Sequence, residues 1–437
     1  MSQQLLFDKQ EFVKARPQSA NIGSRSGCFV DNMKLPVHRW YRYSAGFSAD
    51  WVRFLLRQRI KSSKNDCTVL DPFAGIATTL VACNVESVKS FGFEPHPFVF
   101  KMAEAKLDLC GCSTPVLANL FSGFINDFKK HPRVNDGTAA PLLGKCYTKE
   151  SLYELLTMKK IMETDYDDPE ARILWFVITS ILRSCSCVGT AQWQYVLPNK
   201  TKACVSSPLK ALIDKTAQIL EDIDYLGSTA YSHQAKILRT DARNSLDLEE
   251  DSIDYVITSP PYPNNYDYAD ATRLEMTFWG EIRGWADLHS TVRSRLLCSC
   301  SQHSAAEKVQ LPDVLREAIL SPILPELRDV CERLEMVRLE KGGKKTYHTM
   351  IASYFLDLAL VFRTLRRVCR PGAEVCFVIG DSAPYGVYVP VEKWLGELAV
   401  AGGFRTCHFE KIRDRNIKWK NRKHDVPLHE GRLWIQG

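Results

Sequence analysis

The sequence predicts an α/β protein built on an open, Rossmann-like sheet of seven strands with helical insertions. Three observations predict it. An apolar run of strand type, Asp254-Tyr-Val-Ile-Thr258, stops abruptly in Ser259-Pro260-Pro261-Tyr262. A second run, from Cys67 to Asp71, passes into the turn Pro72-Phe73-Ala74-Gly75 and then a stretch of helix type. A third, Ser90-Phe-Gly-Phe93, ends in a carboxylate, Glu94, 23 residues after Asp71. Strands alternating with helices, and punctuated by Gly or Pro at their carboxyl ends, are the pattern of a parallel sheet with covered faces.

Composition narrows the class. At 437 residues the chain is too long for one ordinary core, and about two or three lobes are expected. Its 45% hydrophobic and 25% charged residues are those of a globular protein. No run approaches the ~20 apolar residues of a membrane span. The N-terminus, Met1-Ser-Gln-Gln-Leu-Leu-Phe-Asp-Lys9, lacks a signal-peptide pattern. The 15 cysteines are odd in number and scattered, which points to a reducing, cytoplasmic setting. Cys110/Cys112, Cys185/Cys187 and Cys298/Cys300 are each separated by a single residue, not the Cys-x-x-Cys of a zinc site, so no metal is expected. The net charge of +6 suits a polyanionic partner. The excess is uneven, with nine Lys/Arg against four Asp/Glu over 401–437.

In chain order, residues 1–30 read as a polar N-terminal arm. A catalytic α/β core would then comprise 31–112, 236–271 and 350–437, interrupted by insertions at 113–235 and 272–349. Ser48 is placed to cap a helix from Ala49, whose Trp51, Phe54 and Leu55 share one face. A helix follows Glu94 over 97–109. The first insertion carries helices near 150–163, 170–183 and 207–225. Its loop Gln192-Trp-Gln-Tyr-Val-Leu-Pro-Asn-Lys200-Thr-Lys202 could stack bases and touch phosphates, or pack its Trp into the insertion. The sheet resumes at Ala235 and reaches Asp241, 18 residues before Ser259. After Tyr262 comes a loop with Asn265, Tyr266 and Tyr268, suited to base contacts or to turns. The second insertion, with helices near 313–321 and 326–339, is the candidate target-recognition region. A helix over 349–367 buries the stripe Ile351, Tyr354, Phe355, Leu358, Val361, Phe362 and Leu365. Pro371-Gly372 should end it before a fifth strand over 373–381. A helix over 391–401 and strands over 404–412 and 431–436 close the chain, with a basic loop at 413–425 between the strands.

Two consecutive prolines cannot continue a strand ladder or sit deep in a helix. They hold Ser259 and Tyr262 at the end of a buried strand, where open α/β sheets bind ligands. Carbonyl oxygens, a hydroxyl and a flat ring suit a planar amine. Ser259-Pro260-Pro261-Tyr262 resembles the fourth motif of the amino-directed, S-adenosylmethionine-dependent DNA methyltransferases, Asp/Asn/Ser-Pro-Pro-Tyr/Phe. The first motif, Asp-Pro-Phe-x-Gly-x-Gly-Thr-Thr, is matched by Asp71, Pro72, Phe73, Gly75, Thr78 and Thr79. It departs at one fixed position, where Ala77 replaces the second glycine, and at positive φ that methyl would bear on cofactor affinity. His38 and Tyr43-Ser-Ala-Gly-Phe47 resemble the tenth motif, which lies against the methionine part of the cofactor. Glu94 falls where a nucleotide-binding unit accepts from the ribose hydroxyls. Asp241 resembles the third motif's acid, which accepts from the adenine amino group.

The resemblance implies a seven-stranded class I methyltransferase fold, S-adenosylmethionine as cofactor and double-stranded DNA as substrate. It implies site-specific transfer to the exocyclic N4 amine of a flipped cytosine, because Thr258-Ser259 resembles the cytosine-N4 subgroup. Ser259 and the Pro260 carbonyl would hold the amino hydrogens, and Tyr262 would stack the base. The chain has no Pro-Cys dipeptide, which argues against a ring-carbon cytosine methylase. Such a protein would serve a restriction-modification or defence system of bacterial type, with a cognate endonuclease encoded nearby as partner, and be cytoplasmic and nucleoid-associated. Adenine-N6 methylation, RNA methylation and a catalytically inactive DNA-binding relative are the alternatives.

Asn265, Tyr266, Tyr268, Lys418, Lys420 and Arg422 are the candidate nucleic-acid contacts. If the basic loop meets phosphates, neutralising Lys418, Lys420 and Arg422 together should weaken binding to all DNA sequences alike and flatten its salt dependence. A loss confined to one sequence, measured by binding titration at several salt concentrations, would make the loop a base reader instead.

Overall fold

The computed structural model describes residues 29–43, 46–62, 67–134, 140–191, 195–227, 231–415 and 426–437. The sequence-predicted arm lies almost wholly outside them, as do Lys418, Lys420 and Arg422. Seven strands form the main sheet: β1 Thr68–Asp71, β2 Lys89–Phe93, β3 Ala235–Leu238, β4 Ile253–Thr258, β5 Cys369–Gly380, β6 Thr406–Arg415 and β7 Leu428–Gln436. Their spatial order is β3-β2-β1-β4-β5-β7-β6. The first five are parallel, and β7 runs antiparallel between β5 and β6. This is the α/β, Rossmann-like methyltransferase sheet that the motif order implied.

The register places the site. Val69 pairs with Tyr255 and Leu70 with Val256, so the carboxyl ends of β1 and β4 finish side by side. The strand order reverses between them, and a crevice opens at such a switch point. The central strands are buried on both faces, which is why Val256, Ile257 and Thr258 read as a continuous run and not an alternation. Behind them packs the helix Tyr347–Val368, with the whole predicted stripe from Ile351 to Leu365 buried. Ser48 caps the helix Ala49–Ser62, its Oγ accepting from the Trp51 amide at 3.3 Å. Trp51 and Leu55 are buried as expected, whereas Phe54 is 37% exposed on the flank of that face.

The first insertion is more helical than predicted. Besides Lys149–Asp165, Glu170–Cys185 and Pro208–Gly227, it contains Thr114–Lys130. Leu117, Leu120, Phe121, Phe124 and Phe128 are buried on that helix at helical spacing. Part of the predicted aromatic and basic loop is the strand Val196–Thr201, paired with Val188–Thr190 in a two-stranded sheet. Both strands of such a ribbon have a free edge, so Pro198 is tolerated. Residues 192–194 lie outside the described residues.

The second insertion is divided between two cores. Leu274 to Val292 pack with the first insertion and the helix Pro97–Cys110. Leu297 to Leu334 pack against the helix Tyr347–Val368. The helix expected over 313–321 is instead one turn, Leu311–Val314, and a 3-10 turn, Ala318–Leu320. Pro322 denies that segment a continuing helix. Nor does Pro371-Gly372 precede the fifth strand. β5 begins at Cys369 and absorbs both residues in a register shift, with Gly372 at φ 81°.

Two buried carboxylates tie the insertions to the core. Asp222 accepts from the Val37 amide (2.9 Å), the Trp40 indole (2.7 Å) and Arg39 (2.6 Å). Glu275, fully buried, accepts from Arg183 at 2.5 and 3.0 Å and from the Tyr41 hydroxyl at 3.2 Å. Glu275→Ala leaves Arg183 without this partner and should lose roughly 3–5 kcal/mol, the usual result of breaking a buried ion pair from one side. The measurement is the denaturant midpoint of the variant; a midpoint equal to that of the unaltered protein would mean the pair carries no weight in the fold.

Candidate active site

A cleft opens at the carboxyl ends of β1, β2 and β4. Its floor is the loop Pro72 to Ile76. Gly75 has φ +53°, and a Cβ there would come within 3.2 Å of the Tyr43 ring, so this position needs glycine for both backbone and space. Phe47 and Tyr43 line one side, Glu94, Pro95 and His96 another. Ser259, Pro261 and Tyr268 complete it from the β4 end, and Asp241 lies at its margin.

Two residues of the matched motifs support this cleft from behind. Asp71 is fully buried and does not line it. Its carboxylate accepts from Thr258 Oγ1 (2.5 Å), Thr79 Oγ1 (2.6 Å) and the Phe73 amide (3.0 Å). Burial pushes Asp71 up to about 6 against the pull of those three donors. Thr79 is thus a brace for Asp71 and not a lining residue, while Thr78 does line the cleft. Asp71 and Thr79, both expected at the cofactor, lie behind the residues that line the cleft. His38 is likewise away from the cleft, buried with Nδ1 lacking a hydrogen-bond partner among the described residues. Burial, with the positive charges of Lys106 and Arg53, holds it well below the usual histidine range.

Ala77 does adopt the left-handed conformation, φ 65° and ψ 37°, just ahead of the helix Thr78–Val85. Its methyl packs with Ala74, Leu80 and Ala103 and does not line the cleft. The substitution therefore bears on the turn's strain, not on cleft volume. Behind the same loop, the buried Lys106 amine donates to the Ile76 carbonyl at 2.9 Å. Burial pushes that amine down to about 8.

Glu94 does face the cleft. One oxygen accepts from the His96 amide at 2.8 Å. Burial pushes this carboxyl up to about 8, opposed by the amides of His96 and Gly75. Asp241 is held by Arg243 at 2.6 to 3.1 Å, and Arg243 also reaches Asp357 at 2.9 Å. Ser259 Oγ donates to the Val378 carbonyl at 3.2 Å. With its hydrogen committed there, the hydroxyl presents only lone pairs elsewhere. Pro260 is buried.

The Asn/Tyr loop is largely structural. Asn265 Oδ1 accepts from the Ser301 amide (2.9 Å) and hydroxyl (2.7 Å). Tyr266 is 6% exposed, stacked on Tyr195 at 5.6 Å and edge-on to Tyr268 at 4.5 Å. Of the three candidate base contacts in this loop, Tyr268 alone lines the cleft. The buried Arg293–Asp267 pair (2.6 Å) brings the second insertion to the cleft, where Arg295, Leu296 and Leu297 form a wall. No motif in the sequence marks those three residues. Pro95 and His96, in contrast, adjoin Glu94 and could have been read with it.

Asp381, Glu392 and His429 have ligand atoms within 4.8 Å of one another. His429 already bridges the carboxylates, at 2.6 Å to Asp381 and 3.4 Å to Glu392. Burial and the Glu392 carboxyl push Asp381 up to about 8.

Comparisons with known proteins fit this geometry. The type II methyltransferase M.BsoBI of Geobacillus stearothermophilus is 24% identical across 93% of this chain and 86% of its own length. The chain is similar to type II methyltransferases. M.AvaI of Nostoc sp. strain PCC 7120 is 26% identical across 88% of this chain and 82% of its own. No family model matches the chain. Among solved structures, the rRNA methyltransferase aviRa of Streptomyces viridochromogenes aligns over 91% of this chain and 86% of its own, at 11% identity and a TM-score of 0.29, too distant to carry an argument.

Glu94 has a pH signature. Its folded value of about 8 lies above its ordinary 4.5, so folding favours the protonated form. The stability this contributes is complete below about 4.5 and is lost as pH rises through about 8. Glu94→Gln, neutral and isosteric, should therefore gain stability relative to the unaltered protein as pH rises across that window. Parallel denaturant titrations at several pH values check this; a difference independent of pH would mean the carboxyl is solvated.

Proposed function

We propose that the chain is a DNA methyltransferase that uses S-adenosylmethionine and acts on the exocyclic N4 amine of a flipped cytosine. The observation that carries this reading is Ser259. Ser259 lines the same cleft as Glu94 and the Gly75 turn, and its hydroxyl donates to the Val378 carbonyl and meets the Tyr262 side chain. The likeness to type II methyltransferases over most of the chain supports it.

The cleft suits the cofactor by its donor set. A buried carboxyl that faces the cleft, Glu94, matches a ribose diol, and the side-chain-free Gly75 turn lets backbone approach closely. Phe47 and Phe73 offer apolar cover. When bound, the cofactor supplies an electrophilic methyl group on a sulfonium. The chain's own residues prepare the amine. An aryl amine is a poor nucleophile because its lone pair is delocalised into the ring. Ser259 Oγ and the Pro260 carbonyl accept its two hydrogens, which draws the nitrogen towards tetrahedral geometry and localises the lone pair. Positioning and electrostatics supply the rate, without a covalent intermediate. Tyr262 stacks the extruded base. Cytosine is favoured over adenine because serine stands at the first position of the Ser259-Pro260-Pro261-Tyr262 motif.

The decisive experiment is mass spectrometry of nucleosides from DNA treated with the protein and cofactor, where 4-methylaminocytosine is expected. Finding 6-methyladenine would replace the base assignment, and a ring-carbon product would remove the mechanism. Ser259→Ala should slow transfer roughly 10- to 100-fold, as for loss of about 1.5–3 kcal/mol of hydrogen bonding, with cofactor affinity unchanged. Tyr262→Ala should lose about 1–3 kcal/mol of base stacking. Full activity in Ser259→Ala would take the hydroxyl out of the chemistry.

A further inference from the structure

Tyr262 does not itself line the cofactor cleft, and its ring needs a second support if a base is to stack on it. We propose that Arg415 is that support, a positioning residue that holds the Tyr262 ring for the target base. The proposal rests on the role given to Tyr262 above.

Arg415 is the last residue of β6, on the edge hairpin and far in sequence from β4. Its guanidinium lies 5.3 Å from the Tyr262 ring centroid. The same group donates to the Asp381 carbonyl at 2.8 Å and lies 3.9 Å from the Glu430 carboxylate. Its side chain is only 17% exposed. Held at three points, this arginine is a fixed support and not a mobile gate. Planar guanidinium groups pack on aromatic faces, and the contact would be weak in a lysine.

Gly380 gives independent support. A Cβ built there would come within 2.5 Å of Arg415 Nη1 and 3.2 Å of Tyr262 Cε2. The end of β5 thus omits a side chain where the guanidinium and the ring pass. Because Nη1 is the far end of a flexible side chain, an added methyl can push it aside without breaking the strand. Gly380→Ala therefore moves the guanidinium off the ring, and crowds the Tyr262 edge by a few tenths of an ångström, while leaving the charge in the protein. Arg415→Gln removes the charge as well. The pair separates support of the ring from attraction to phosphate.

The test measures transfer of labelled methyl groups to unmethylated genomic DNA by the full chain. Compared are the unaltered protein, Arg415→Gln, Arg415→Lys, Gly380→Ala, Tyr262→Ala and the Arg415→Gln/Tyr262→Ala double variant. Cofactor affinity and melting midpoint are recorded for each. Arg415→Gln and Gly380→Ala should each lower kcat/KM for DNA tenfold or more, at unchanged cofactor affinity. Arg415→Lys should recover little, and the double variant should be no worse than Tyr262→Ala. If Arg415→Gln alone is impaired and its DNA binding loses salt dependence while Gly380→Ala stays normal, Arg415 is a phosphate contact and the proposal is overturned. Additive losses in the double variant overturn it too. Should Arg415→Gln melt early, Gly380→Ala and the lysine variant decide. Impairment in Tyr262→Ala with normal Gly380→Ala sinks this proposal alone. Full activity in Tyr262→Ala sinks both it and the stacking role on which it rests.

Discussion

The carboxylate of Asp71 is the point on which the site depends. It ends β1, accepts from Thr258 at the end of β4, and accepts from Thr79 in the first turn of the helix after the glycine loop. One buried group thus joins two strand ends and the loop between them. Parallel pairing of Val69 with Tyr255 brings those ends level, and the carboxylate then sets their spacing to within a hydrogen bond. Without it, the floor that carries Gly75 and the strand end that carries Ser259 would have no common reference. A carboxylate that accepts three hydrogen bonds can do this because two of the donors, the Thr258 and Thr79 hydroxyls, are fully buried and must be satisfied within the protein.

The insertions extend the same logic outward. Asp222 reaches from the first insertion to hold residues 37–40, and so steadies the segment that leads to Tyr43 and Phe47. Glu275 and Arg183 join the helix after the Ser259 loop to the first insertion. Arg293 joins Asp267 to the second insertion, and Asn265 adds two hydrogen bonds to Ser301. The walls of the cleft are therefore built by long-range polar pairs, buried or part-buried, each with its partner supplied from a different part of the chain. Leu296 and Leu297 reach the cleft only because this framework carries them there.

Local sequence was informative where a short segment encodes its own geometry. Gly75 marks a turn of positive φ, Pro260-Pro261 ends β4, Ser48 caps a helix, and the apolar stripe of 347–368 declares its buried face. Expectations failed where neighbours decide. Phe54 sits at the edge of an apolar face, so burial turned on what packed beside it. Pro371-Gly372 has the form of a stop signal, yet a register shift against β4 lets β5 carry both. Leu117 to Phe128 show helical spacing, and that helix was legible though not predicted.

The sequence by itself determined the order of the seven main-sheet strands, the glycine turn, the Pro-Pro strand end and the identity of the groups available for chemistry. These follow from backbone restriction and apolar periodicity, which act over a few residues. Only the tertiary structure decided which of those groups face the cleft. Asp71, Thr79 and His38 turn away from it, Glu94 and Ser259 turn towards it, and Arg415 reaches Tyr262 from 153 residues further along the chain. A side chain's outlook is set by what packs against each face of its strand or loop, and those neighbours come from pairings that no local pattern records.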